Sequence, residues 1–184
     1  IEHHMLHFLD NHDEQRLASP EFAGTPQKGK PLMVVSTTIS TSPTMVYFGQ
    51  EVGEAGNENA GFGTHSRTSI FDYIGVPNHQ RWMNGGKFDG GQLTQEEKEL
   101  RDFYKRILNF SLNSTALMGE YQEIQTVNRQ TTQGYDPGIY AFTRWSDTQK
   151  LVIVTNFSWL STSNFELKIP SEIIRKWNLK DGNY

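Results

Sequence analysis

Phe8-Leu9-Asp10-Asn11-His12-Asp13 closes a short apolar run that begins at Met5, and Glu14-Gln15-Arg16 follow it. Four consecutive polar residues stop the run abruptly. An apolar segment ending in an acid, an amide and an imidazole is how a parallel strand looks at a catalytic face, where strand bodies fill the core and the following loops carry chemistry. The same Asn-His-Asp can equally be turn residues, each bonding its own backbone. The six residues alone leave both readings open.

Outward from that stretch, residues 17–29 read as a loop, punctuated by Ser19-Pro20, Gly24, Pro26 and Gly29. Residues 31–42 set two rules against each other. Their β-branched content favours a strand, whereas a parallel strand on each side requires a crossover, usually helical. Pro31 suits a first helical turn, and Leu32, Val35 and Ile39 recur at helical spacing. A helix is therefore expected, ended by Pro43. Met45 to Phe48 is then a continuous apolar run, as a buried parallel strand shows.

From Glu51 to Leu93 the chain is rich in Gly and Asn, too long for a structureless loop without a function. Phe62, Phe71, Tyr73, Trp82 and Phe88 punctuate it. Such rings can form sugar-stacking walls or pin the loop to the body, and packing is the commoner use. Thr94-Gln95-Glu96-Glu97 is a capping box, with Glu97 answering Thr94. Leu100, Phe103, Tyr104, Ile107 and Leu108 follow on one face, predicting an amphipathic helix to about Leu112. Past Leu117 the pattern changes to short strands at 119–127, 139–145, 151–156 and 165–169, with turns at Asp136-Pro137-Gly138 and Ser146-Asp147.

Composition excludes several classes. With 184 residues and a net charge of -4, the chain offers no electrostatic case for nucleic acid or an anionic membrane. No apolar stretch approaches the roughly 20 residues of a membrane span. The absence of cysteine removes disulfides and thiolate sites. His3, His4 and His7 invite a metal reading, but on a strand His4 faces away from the other two. No metal site is assigned.

Phe-Leu-Asp-Asn-His-Asp resembles the last conserved segment of the alpha-amylase family, glycoside hydrolase family 13. There it ends the seventh strand of a (β/α)8 barrel. Pro43 to Glu51 resembles that family's eighth strand, and Ser69 to Trp82 is similar to a loop of one bacterial subgroup. With the tail, these matches cover nearly the whole chain. The resemblance implies an α/β fold. Residues 1–115 would be the C-terminal segment of the barrel, strands 7 and 8 with their helices. Residues 116–184 would be an all-β sandwich domain, truncated because only about four strands are visible. A complete barrel takes about 250 residues, so the chain is expected to be the C-terminal portion of a larger enzyme.

The resemblance further implies a retaining hydrolase of α-1,4-linked glucans. Alternatives are a glucanotransferase, which uses the same three carboxylates, or a non-catalytic glucan-binding module. Asp13 would be the transition-state stabiliser, with His12, Asn11 and Arg16 binding substrate. The nucleophile and the acid would lie upstream, so the chain alone is expected to be inactive. Asp13 and Glu51, at the ends of neighbouring strands about 4.8 Å apart, could themselves form a carboxylate pair. Arg16 is available to neutralise Glu51, however, and a paired carboxylate is a poor proton donor. Glu51 is therefore read as an ion-pair partner, and Asp10 and Asn11 as organisers of the loop around Asp13. The expected partners are an α-glucan or maltooligosaccharide and the remainder of the same enzyme. No cofactor is expected in this chain, with calcium possible in the full-length enzyme. The substrate class suggests an extracellular or periplasmic setting.

Overall fold

His7 and Thr44 form a parallel bridge, so the two apolar segments read as consecutive parallel strands lie side by side. The His7 N–H donates to Pro43 O at 2.9 Å, and the Met45 N–H donates to His7 O at 2.8 Å. The structure is a computed structural model that describes residues 5–56, 68, 76–158, 164–180 and 182. It divides into two units, Ile1–Asn113 and Ser114–Tyr184.

The expected strand at Met45 to Phe48 is not formed beyond that bridge. A parallel ladder continues only while each residue finds a partner. Here the Tyr47 N–H turns to the Gln50 side chain at 3.2 Å, and the Gln50 N–H closes on Tyr47 O at 3.0 Å. The connection between the two segments is helical. Helix α1 spans Lys30–Thr38 with Pro31 in its first turn, and it ends before residue 42. Two hydroxyls help end it: Thr37 Oγ1 donates to Met33 O, and Thr38 Oγ1 donates to Val34 O. Such back-bonding competes with the helical ladder.

Helix α2 (Pro77–Met83) and helix α3 (Gln95–Asn113) complete the first unit. Met33 of α1 packs on Leu100 and Tyr104 of α3, with Leu9, Val46, Phe103, Ile107 and Leu108 around them. The apolar stripe of α3 thus buries against both parallel segments and their crossover. At its start the Glu97 N–H donates to Thr94 Oγ1 at 3.3 Å, and the Thr94 N–H donates to Glu97 Oε2 at 2.9 Å. Arg81 of α2 covers the same carboxylate, with Nε 3.1 Å from both oxygens.

In the second unit, β1 (Glu120–Glu123), β2 (Ile139–Trp145) and β3 (Lys150–Asn156) form an antiparallel sheet in that order. Tyr121 faces Arg144, and Phe142 faces Ile153. The expectation of an all-β unit is corrected by two helices, α4 (Gln125–Thr131) and α5 (Ser171–Trp177). The expected strand at 119–127 ends at Glu123, whose Oε2 accepts the Thr126 N–H at 2.9 Å in the first turn of α4. Ile173 and Trp177 bury one face of α5 against Ile124, Tyr135, Ile139 and Ala141.

Residues 165–169 form no strand. Their partner is the Asn128 side chain instead. Asn128 Oδ1 accepts the Lys168 N–H at 2.8 Å, and Asn128 Nδ2 donates to Lys168 O at 2.9 Å.

The capping box of α3 carries a measurable pH dependence. Burial pushes the Glu97 carboxyl up, but hydrogen bonds from Arg81 and Thr94 prevail and hold it below its ordinary value. A carboxyl depressed in the folded state stabilises above its unfolded pKa, and the gain is lost as pH falls through the folded one. Thr94→Ala should cost about 1 kcal/mol. Glu97→Ala, which strands two donors, should cost about 1–3 kcal/mol. Denaturant unfolding at pH 7 and at pH 3 checks both, and the Glu97→Ala deficit should shrink at the lower pH.

Candidate active site

Leu9 points into the core, and the next residue is also turned inward. Asp10 has no exposed surface. Its Oδ2 accepts the Leu17 N–H at 3.0 Å and lies 3.4 Å from Arg16 Nε. Arg16 is equally buried. Its Nη2 donates to Phe48 O at 2.6 Å, and its Nη1 donates to Thr68 Oγ1 at 3.2 Å. The guanidinium carbon sits 4.8 Å from the Tyr47 ring centroid and 5.4 Å from that of Phe48. A planar, weakly hydrated cation suits such stacking better than an ammonium does. Arg16 thus fastens the end of the first parallel segment to the end of the second.

Between these two buried residues the chain loops out. Asn11 Oδ1 accepts the N–H groups of Asp13 at 2.7 Å and Glu14 at 3.0 Å, an Asx turn. The turn projects His12 and Asp13 outward, with side chains 49% and 69% exposed, and brings His12 Nε2 within 3.3 Å of Asp13 Oδ2. An ionised carboxylate accepts hydrogen bonds at both oxygens. Asp13 can therefore receive several hydroxyl donors from a ligand. Desolvation pushes the Asp10 carboxyl above its usual value despite the pull of Arg16, and burial likewise raises the Tyr47 phenol.

Of the residues singled out in the sequence, His12 and Asp13 are brought together at the surface. The Asn11 carbonyl oxygen is committed to the turn, and the Arg16 guanidinium is enclosed by protein groups. Glu51 lies on the single turn Gln50–Val52, and Arg16 takes Asp10 as its ion-pair partner rather than Glu51. His7 serves the fold, with Nδ1 3.2 Å from Ser36 O and Nε2 3.4 Å from Ser40 Oγ. His3, His4, Phe62, Phe71 and Tyr73 lie outside the described residues. Trp82 and Phe88 are engaged with protein. Their rings meet edge-on at 5.8 Å, and Trp82 also stacks on His79 and lies beneath Arg101.

Two contacts of Arg16 have little or no signal in the sequence. The Phe48 carbonyl as an Arg16 acceptor follows from where the second segment ends. Thr68 carries no signal at all. No group of three or more His, Asp or Glu side chains placed to hold a metal ion occurs among the described residues. No helix among the described residues is long and apolar enough to cross a membrane.

No family model matches the sequence, and no curated protein matches it. Among solved structures, the chain is similar to a debranching enzyme of Nostoc punctiforme from an acarbose-soaked crystal. The identity is 19% and the TM-score 0.49, over 84% of this chain and 24% of that one. It is also similar to an isomaltulose synthase of Erwinia rhapontici NX5 in complex with D-glucose. There the identity is 18% and the TM-score 0.47, over 83% of this chain and 34% of that one. The chain thus spans 24% and 34% of the lengths of these two structures.

Gly49 tests the packing under the site. Its φ is +81°, and an added Cβ would lie 3.1 Å from Glu54 Cβ and 3.3 Å from Arg16 Nη2. Gly49→Ala should destabilise by about 1–3 kcal/mol through strain at that dihedral and displacement of the guanidinium. Thermal unfolding of the variant measures the loss.

Proposed function

We propose that the chain is the C-terminal portion of a retaining α-glucan hydrolase of the alpha-amylase type. In this reading the parallel segments are the seventh and eighth strands of a (β/α)8 barrel, α3 is its last helix, and the second unit, a three-stranded sheet with two helices, belongs to the domain that follows. The observation that carries the reading is the exposed His12–Asp13 pair, held at the end of one parallel segment by an arginine anchored on the next.

Cleavage of a glycosidic bond by a retaining enzyme passes through an oxocarbenium-like transition state between a carboxylate nucleophile and a carboxylic acid. Further hydrogen bonds to the sugar hydroxyls that tighten in that state add several kcal/mol. Asp13 supplies such contacts, as an acceptor for hydroxyls of the sugar at the cleavage point. His12 adds a hydrogen bond to the same sugar. The nucleophile and the acid belong to segments outside this sequence. Arg16, buried on protein acceptors, works as the anchor of the loop.

In the full-length protein, Asp13→Asn should lower kcat by about 10³-fold, the equivalent of some 4 kcal/mol. KM should change far less, since contacts made mainly in the transition state act on kcat. His12→Ala should be milder, about tenfold to a hundredfold. Steady-state kinetics on a chromogenic maltooligosaccharide gives both numbers, and small, equal effects on the two constants would reduce residues 8–13 to a strand ending. Products lengthened by transfer to sugar acceptors would mark a glucanotransferase, and binding without cleavage a glucan-binding module.

The 184-residue chain alone should not turn over the same substrate. Turnover abolished by both Asp13→Asn and Glu51→Gln would overturn the assignment of the missing carboxylates.

A further inference from the structure

The geometry points to Asp10 and Arg16 as a positioning pair for Asp13. The buried carboxylate and guanidinium clamp the Asn11-His12-Asp13 turn against the end of the neighbouring segment, fixing where the Asp13 carboxylate meets the sugar. The inference rests on the reading of Asp13 as the residue that contacts the transition state.

The contacts explain why the pair is there. As a device for stability it is poor. Asp10 Oδ1 is buried without a hydrogen-bond partner among the described residues, and Arg16 Nε approaches the carboxylate only to 3.4 Å. Burying two charges costs several kcal/mol each, and well-packed apolar residues often serve stability as well or better.

As a clamp it is well made. Asp10 Oδ2 takes the Leu17 N–H, which closes the loop from residue 10 to residue 17 on itself. Inside that closure Asn11 Oδ1 takes the N–H groups of Asp13 and Glu14. Arg16 then ties the loop to the Phe48 carbonyl, the Tyr47 and Phe48 rings and Thr68. The backbone of Asp13 is one hydrogen bond from Asn11, which adjoins Asp10.

A displacement of about 1 Å at a reacting centre can cost about 10²-fold in rate, and loosening this clamp is expected to act on that scale. The test is a double-mutant cycle in the full-length protein, with kcat and KM on an activated maltooligosaccharide. Asp10→Asn keeps the size of the side chain and an acceptor but removes the charge. It should lower kcat by about tenfold to a hundredfold, with KM changed by less than about threefold. In an Asp13→Asn background the same change should alter kcat by less than about threefold, because no carboxylate is left to place.

Arg16→Lys keeps the charge and loses the planar fork, and it should behave in the same way. Should Asp10→Asn fail to fold, the Arg16→Lys cycle decides the matter alone. Losses of equal size with and without the Asp13 carboxylate, or single variants with undiminished kcat, would overturn the inference. Undiminished kcat in Asp13→Asn itself would remove the premise as well, which separates the two failures.

Discussion

A guanidinium with no exposed surface must be satisfied from within, and Arg16 is satisfied from two places at once. Its carboxylate partner comes from its own loop, and its carbonyl and aromatic partners come from the end of the parallel neighbour. Remove the cation in thought, and Asp10 becomes an uncompensated buried charge while the Phe48 carbonyl loses its donor. Both segment ends then lose this tie and are left with their packing on α3 and a single parallel bridge, at His7 and Thr44, the only ladder between them among the described residues. The arrangement places a polar bolt where a longer sheet would use backbone pairing. It also bears on Gly49, whose φ is +81° and where an added Cβ would lie 3.1 Å from Glu54 Cβ and 3.3 Å from Arg16 Nη2.

The site was half legible in the sequence. Phe8 to Asp13 reads as a strand end with polar residues at its tip, and the exposed pair His12 and Asp13 stands there, just past the bridge at His7. The burial of Arg16 has a physical reason for being illegible. A cation six residues after a buried acid looks the same in sequence whether it reaches for solvent or turns back, and only the fold supplies the Phe48 carbonyl and the rings that make burial tolerable. Glu51 lost its expected partner by the same event, because Asp10 is nearer along the loop and already desolvated. Nothing in the sequence singles out Thr68, whose role depends on a segment brought back from far along the chain.

Local rules served the fold well where one element satisfies itself. The capping box at Thr94 and Glu97 and the stripe from Leu100 to Leu108 gave α3 almost to the residue, since caps and periodicity are properties of the helix alone. The β2 strand was read equally well. The losses came where a partner decides the matter. Met45 to Phe48 has the composition of a strand but no ladder partner past Met45 among the described residues, and in 165–169 Lys168 pairs with a side chain. Helix α5 was legible and overlooked: Pro170, Glu172 early, Arg175 and Lys176 late, and Ile173 and Trp177 four apart on one face.

The Asn128 side chain has a consequence for the timescale on which the second unit opens. Its amide presents one acceptor and one donor to the backbone of Lys168, just as a neighbouring strand residue would, while Nδ2 also binds Ile124 O and Oδ1 takes the Thr132 hydroxyl. Asn128 is completely buried, so water does not compete for these bonds. The Lys168 amide is thereby protected from hydrogen exchange by α4 rather than by the sheet. Its protons should trade with solvent only when α4 lifts from its seat, and not when β3 frays, so that one amide in an irregular stretch reports on the local unfolding of a helix forty residues earlier in the chain.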